Sequence, residues 1–219
     1  MAVVHTDAFT TGDDANLETY DSDWVKYSAD AGTIVVLAAT DEVCASSDGS
    51  PRIYAWEGSG YPTGSQEVQA VVTFFTANTV FSGVAVRVAT GAAGADCFVM
   101  LLSSTTDDAE LYEMEDDNGT LRASWATTLT DATDYTVKLK VVGNDLTGYV
   151  DGTERLSYTD TDPLKASGGP GVYMYTSGQY RVGRLDDWQV DDLNGGTPPS
   201  LVSRHHPHGI MRGVMRGVS

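Results

Sequence analysis

Two carboxylates on alternate positions of a strand share one face, and Glu113 and Glu115 in "EMEDDN" are so placed. Glycosidic bonds are cut by carboxyl pairs, one protonating the leaving oxygen and the other attacking or activating water, ~5–5.5 Å apart for retention. Asn118, at the end of the run, has no proton to deliver to a leaving group. The "NGT" that follows (118–120) matches a glycosylation acceptor but reads as a tight turn, so the acidic strand runs into a hairpin. Glu113, Glu115 and Asp117 then read as a solvated strand face. His5 is the one histidine before the last stretch of the chain, so neither a Ser-His-Asp nor a Cys-His arrangement is readable. The expectation is a protein that is not an enzyme.

Binding chemistry is better represented. Sugar sites need flat aromatic rings beside hydrogen-bonding side chains. Tyr54, Trp56 and Tyr61 in "YAWEGSGYPTG" could form such a platform, and outward rings such as Tyr173 and Tyr175 could form another. Trp24, Trp125 and Trp188 are expected in the core. The acidic clusters "DSD", "DDAE" and "DTD" offer the hard oxygen ligands that calcium takes, but there is no "DxDxDG" loop, and the clusters read as solvated. "HHPHG" (205–209) carries imidazoles for a transition metal, yet Pro207 and an extended backbone fix no geometry.

The elements that must position these residues are strands. "GVAVRVA" (83–89) alternates, with Val84, Val86 and Val88 assigned to one face. In "YTVKLKVVGNDLTGYVDG" (135–152), Val137, Leu139 and Val141 alternate with Lys138 and Lys140, and "GND" makes a hairpin turn. Further strands are expected at 33–39, 52–56, 66–76, 96–104, 109–116, 120–127, 154–159, 170–176 and 180–192. No segment holds a helical period over three turns. The predicted fold is an all-β, antiparallel two-sheet jelly-roll sandwich over residues 1–193. "DLNGGTPPS" ends the sheet, and 194–219 form an extended linker and cationic tail.

Composition narrows the partners. The chain has 219 residues, 41% of them hydrophobic, and a formal net charge of −18. That charge repels phosphates and excludes nucleic acid as a partner of the body. No stretch approaches the ~20 apolar residues of a membrane span, and "MAVVHTDAF" has none of the parts of a signal peptide. Cys44 and Cys97 are too few for a disulfide scaffold and read as two core thiols. After Asp192 there is no acidic residue, while Arg204, Arg212 and Arg216 all follow it. In "MRGVMRGV" the arginines and glycines recur four apart. Arg204, Ile210, Met211, Arg212, Val214, Met215 and Arg216 form the composition of an arm that orders on an acidic partner, by strand addition or in a groove.

The order of landmarks resembles a family. "DAF" (7–9), Trp24, "GYVDG" (148–152), "TDTDP" (159–163), "GGPGVYM" (168–174) and "GRLDDWQVDDL" (183–193) follow the pattern of the concanavalin-A-like lectin/glucanase sandwich in its laminin-G-like branch. Leu185 stands where that pattern has Phe. The resemblance covers residues 5–193 and implies that the first and last strands lie side by side, bringing Phe9 near Trp188. It also implies a structural calcium near that junction, for which Asp7 and Asp186 are the residues carried over. Laminarinase-type members carry E-x-D-x-x-E, and Asn118 stands in the third place here. A jelly roll of this type ending in a cationic arm is similar to structural proteins of tailed bacteriophages. That likeness implies a non-enzymatic virion protein, made in a host cytoplasm, decorating a capsid or attached to a tail. Its arm would dock on other virion proteins or on copies of itself. The alternative is a lectin-like module whose partner is a surface glycan.

Overall fold

Short β-branched and aromatic runs separated by Gly, Asp and Ser turns leave the chain little to build but strands. The computed structural model describes residues 2–29, 32–46, 49–74, 79–161, 166–177 and 183–193. The strands are β1 (Ala2–Asp7), β2 (Ala15–Asn16), β3 (Trp24–Lys26), β4 (Ile34–Leu37), β5 (Glu42–Ala45), β6 (Gly49–Trp56), β7 (Gln66–Phe74) and β8 (Thr79–Thr90). They continue with β9 (Ala95–Ser103), β10 (Asp108–Glu115), β11 (Asn118–Ala126), β12 (Asp134–Val142), β13 (Asp145–Val150), β14 (Thr153–Thr159), β15 (Gly169–Ser177) and β16 (Gly183–Asp192). A single helical turn, α1 (Leu17–Tyr20), lies between β2 and β3. The residues of the cationic arm, from Arg204 to Arg216, lie outside the described residues.

The strands make two antiparallel sheets packed face to face. The first runs β14-β13-β12-β7-β16-β5-β4-β2, with β1 also on β16; the second runs β11-β10-β9-β8-β15-β6-β3. Trp24, Tyr54, Phe98, Met100, Leu139, Leu185 and Trp188 are buried in the layer between them. This is the two-sheet jelly-roll sandwich that the alternation predicts. The 134–150 hairpin is as read: Val137, Leu139 and Val141 are in the core, and the turn uses Gly143 at φ 58°. On the outer face of the first sheet Lys138 pairs with Glu67 at 3.0 Å, and Arg184 pairs with Glu42 at 2.5 Å.

Two local readings change. Val84 and Val86 face the core, but Arg87 takes φ 54° and the ladder to β9 slips between Val86 and Ala89. The extra residue turns Val88 onto the opposite face, where it packs with Ala85 and Cys97. The β10–β11 turn is not "NGT" either. Asp116 and Asp117 take φ 50° and 65°, making a two-residue hairpin, and Asn118 is already opposite Glu115.

The first strand lies beside the last, with Asp7 opposite Trp188. Asp7 is buried and accepts three hydrogen bonds: from the Phe9 N–H at 2.8 Å, the Tyr20 hydroxyl at 2.7 Å and Trp24 Nε1–H at 3.1 Å. The Phe9 ring reaches Trp188 through Trp24, with centroids 6.1 Å and then 4.8 Å apart. On β16 a bulge at Asp187, φ 48°, lets Leu185 and Trp188 both face the core. It leaves Asp186 on the outer face, opposite Val71. Burial, then the nearby carboxylates of Asp187, Glu42 and Asp41, push the Asp186 carboxyl up to about 6.

Two predictions follow from these carboxylates. Asp7→Ala leaves two buried donors and the half-buried Tyr20 hydroxyl unpaired and should lower stability by about 3–5 kcal/mol in urea unfolding. For Asp186 the folded pKa lies above the unfolded one, so its charge opposes folding above about pH 6 and ceases to do so as pH falls toward 4. Asp186→Asn should therefore raise the melting temperature at pH 7.5, where solvent screening leaves a gain of about 1 kcal/mol. The gain should vanish near pH 4, and a pH-independent gain would contradict this assignment.

Candidate functional site

An antiparallel sheet with one face on a core usually turns a polar face to water. The second sheet does not. Its outer face carries a second apolar cluster built from Ile53, Ala55, Ala85, Val88, Ala95, Cys97, Val99, Leu101, Met114 and Tyr173, with Tyr27, Phe81, Tyr112 and Tyr175 packed on it half-buried. The registers set these residues in rows across the strands. One row runs Ile53, Tyr173, Gly83, Leu101 and Glu110; the next runs Ala55, Gly171, Ala85, Val99 and Tyr112. Small residues on β8 and β15 make a low floor, and rings rise on either side. Phe81 and Tyr175 are a tilted pair with centroids 5.4 Å apart.

The floor and walls enclose an open cavity of about 210 Å³, lined by Pro51, Phe81, Leu101, Tyr112, Met114, Asp117, Gly119 and Tyr173. Its polar groups are the two tyrosine hydroxyls and Asp117. Asp117 is held in place because Oδ1 accepts from the Ala95 N–H at 2.9 Å and Oδ2 from the Ala29 N–H at 2.7 Å. Burial and the neighbouring Glu110 push the Tyr112 phenol up to about 12, so it stays a hydrogen-bond donor at neutral pH. Glu110 lies next to Tyr112 on the same face, is 5% exposed, and accepts from the Thr106 hydroxyl at 3.2 Å. Among the described residues, no lysine or arginine lines the cavity.

The residues singled out from the sequence fall elsewhere in part. Tyr54 is fully buried in the main core, and Trp56 is 4% exposed. The even-numbered positions of β6 face inward, and the Trp56 ring is sandwiched: His5 stacks on it at 4.2 Å, and Gly58 lies so close that a Cβ there would sit 2.0 Å from Cζ2. Tyr61 packs half-buried against the same core. These three do not form a solvent-facing platform, whereas Tyr173 and Tyr175 do lie on the outer face.

Glu113 is not solvated: it is 3% exposed and paired with Arg122, Nε at 2.7 Å and NH2 at 2.5 Å, at the rim of the main core. Asp7 faces inward, as its partner Trp188 does, while Asp186 faces outward, so the two do not share an ion. Cys44, on β5, and Cys97, on β9, are both buried and unbridged. Phe81, Leu101, Tyr112 and Met114 were not singled out by the sequence, and Asp117, expected on a solvated face, lines the cavity. Their signal was in β10: Ala109 and Leu111 on one face and Tyr112 and Met114 on the other mean that both faces are apolar.

No family model and no curated protein matches the chain. Solved structures do match. One is the carbohydrate-binding module CBM66 from Bacillus subtilis, at 14% identity and TM-score 0.58, covering 75% of this chain and 91% of that one. Another is a Bacillus subtilis protein of unknown function with a galectin-like fold, at 11% identity and TM-score 0.61, covering 88% and 96%. A third is the VIP36 exoplasmic/lumenal domain in its Ca²⁺/Man3GlcNAc-bound form, at 11% identity and TM-score 0.55, covering 83% and 89%. At such identities the likeness speaks for the fold alone, an antiparallel two-sheet jelly roll.

Proposed function

We propose that the protein is a carbohydrate-binding module that holds a neutral glycan on the outer face of its second sheet. The observation that carries this reading is the cavity between Phe81, Tyr112 and Tyr173 on a face that an ordinary sheet would solvate. The C–H faces of a sugar ring pack on aromatic rings, and its hydroxyls pair with a few fixed polar groups, here Asp117 and the tyrosine hydroxyls. A formal net charge of −18, with no cation among the described residues that line the cavity, disfavours uronic or sialylated ligands. Carbohydrate binding in two of the named neighbours, the CBM66 module and the VIP36 domain, supports the same reading. The cationic "MRGVMRGV" segment keeps a virion setting in view, because a phage-borne module needs both a ligand face and an attachment arm. In that setting Arg212 and Arg216 would dock on a neighbouring virion subunit.

The test is calorimetric titration with neutral oligosaccharides chosen from a glycan array. Tyr112→Ala and Phe81→Ala should each weaken binding by at least about tenfold, the scale of losing one stacked ring at about 1–1.5 kcal/mol. Circular dichroism should show the sandwich intact in both. Tyr149→Ala, on the outer face of the other sheet, should change nothing. Binding that survives both groove variants, or an array with no neutral ligand, would remove the proposal.

A further inference from the structure

Away from the groove, β1 sets His5 and Asp7 two residues apart on one face, and Asp21, the residue that ends α1, comes up beside them. One ligand atom from each lies within 4.8 Å of the other two, and among the described residues this is the one group of three His, Cys, Asp or Glu so disposed. Their hydrogen bonds go elsewhere. Asp7 is bonded by Phe9, Tyr20 and Trp24, and Asp21 Oδ1 accepts from the Asp23 N–H at 2.9 Å. The imidazole is fixed without any hydrogen bond, by its stack on Trp56, with interplanar angle 11°, and by Trp188 at 6.1 Å. Its Nε2 is shut off from solvent and has no partner among the described residues, a costly state for an imidazole nitrogen.

The donor set defines the ligand. An ionised carboxylate has about four lone-pair sites, and the three donors on Asp7 orient it while leaving one free, as outer-shell partners do for metal ligands. Two carboxylates and a neutral imidazole carry the charge that a divalent ion cancels. The neutral imidazole is the form that ligates a metal, so binding releases a proton if the ring carries two. Calcium and magnesium take oxygen ligands, whereas a mixed imidazole and carboxylate set suits zinc and its neighbours.

We propose that His5, Asp7 and Asp21 form a binding site for a divalent transition ion of the zinc class, pinning β1 to the turn that follows α1. Three protein ligands leave one tetrahedral position for water on the half-buried Asp21 side. The site lies on the opposite side of the second sheet from the aromatic groove, and it does not depend on the glycan reading.

The experiment uses the full chain, stripped with a chelator and titrated with zinc, calcium or magnesium chloride. Because His205, His206 and His208 could also take zinc, it is run in parallel on a variant with these three changed to Ala. The expected result is one zinc per chain in both proteins, with a melting temperature raised by roughly 5–10 °C at a hundredfold excess over Kd. His5→Phe keeps a ring on Trp56 but removes the nitrogen, and should abolish the rise. Asp21→Asn still accepts from Asp23 and should weaken zinc at least tenfold. If His5→Phe does not fold, Asp21→Asn decides the matter alone. No zinc response, a response lost with the tail histidines but kept in His5→Phe, or an equal response to calcium would each overturn the proposal.

Discussion

Asp7 is one carboxylate on which three stretches of chain converge. Its bonds to Phe9, Tyr20 and Trp24 tie the end of the first strand, the single helical turn and the inner edge of the second sheet to one buried point. Charge-assisted bonds in a site closed to water are the strong kind, and leaving any of these donors unmade is costly. The tie also positions rings. Trp24 meets Trp188 edge-on at 4.8 Å, and Trp188 donates to the Gly171 carbonyl at 3.2 Å on β15. Through that contact the first strand, the last strand and the floor of the second sheet share one packing unit.

The two sheets then differ in what they show to solvent. The outer face of the first is a ladder of ion pairs, in which Lys138 meets Glu67 and also lies 4.7 Å over the Tyr149 ring. The outer face of the second is apolar and ringed by tyrosines. Nothing in the packing of the main core demands this second cluster, because Tyr112, Phe81 and Tyr173 do not touch the inner layer. The floor of this cluster is closed to solvent, Ile53, Ala85 and Val99 fully so, and the half-buried rings of Phe81, Tyr112 and Tyr175 are the part left for a ligand to meet. Recognition of a partly apolar, hydroxyl-rich ligand is the use that fits.

Strand periodicity and turn residues carried most of the fold. The 134–150 hairpin and the alternation of β12 were legible because each face has one polarity and the turn its glycine and asparagine, whereas the pairing of first with last strand was implied only by the family resemblance. What escaped had a local cause. A single residue in the left-handed region at Arg87 reversed the face of Val88, and no composition announces a bulge at an arginine. The Asp116–Asp117 turn was hidden because two aspartates at positive φ do the work usually given to Asn-Gly. At the site, Tyr54 and Trp56 drew notice as a cluster, yet their even positions on β6 point inward. Tyr112 and Met114 were passed over because the acidic residues beside them, Glu113 and Glu115, suggested a solvated strand.

The most direct test of the account is NMR of methyl-labelled, aromatic-labelled protein titrated with a neutral oligosaccharide that it binds. The account predicts saturable shifts at the Met114 and Leu101 methyls and at the Phe81 and Tyr112 rings, with Met100 in the main core and Tyr149 on the opposite sheet unmoved. Shifts gathered around Tyr149 and Lys138, or around residues 204–216, with the groove silent, would contradict it.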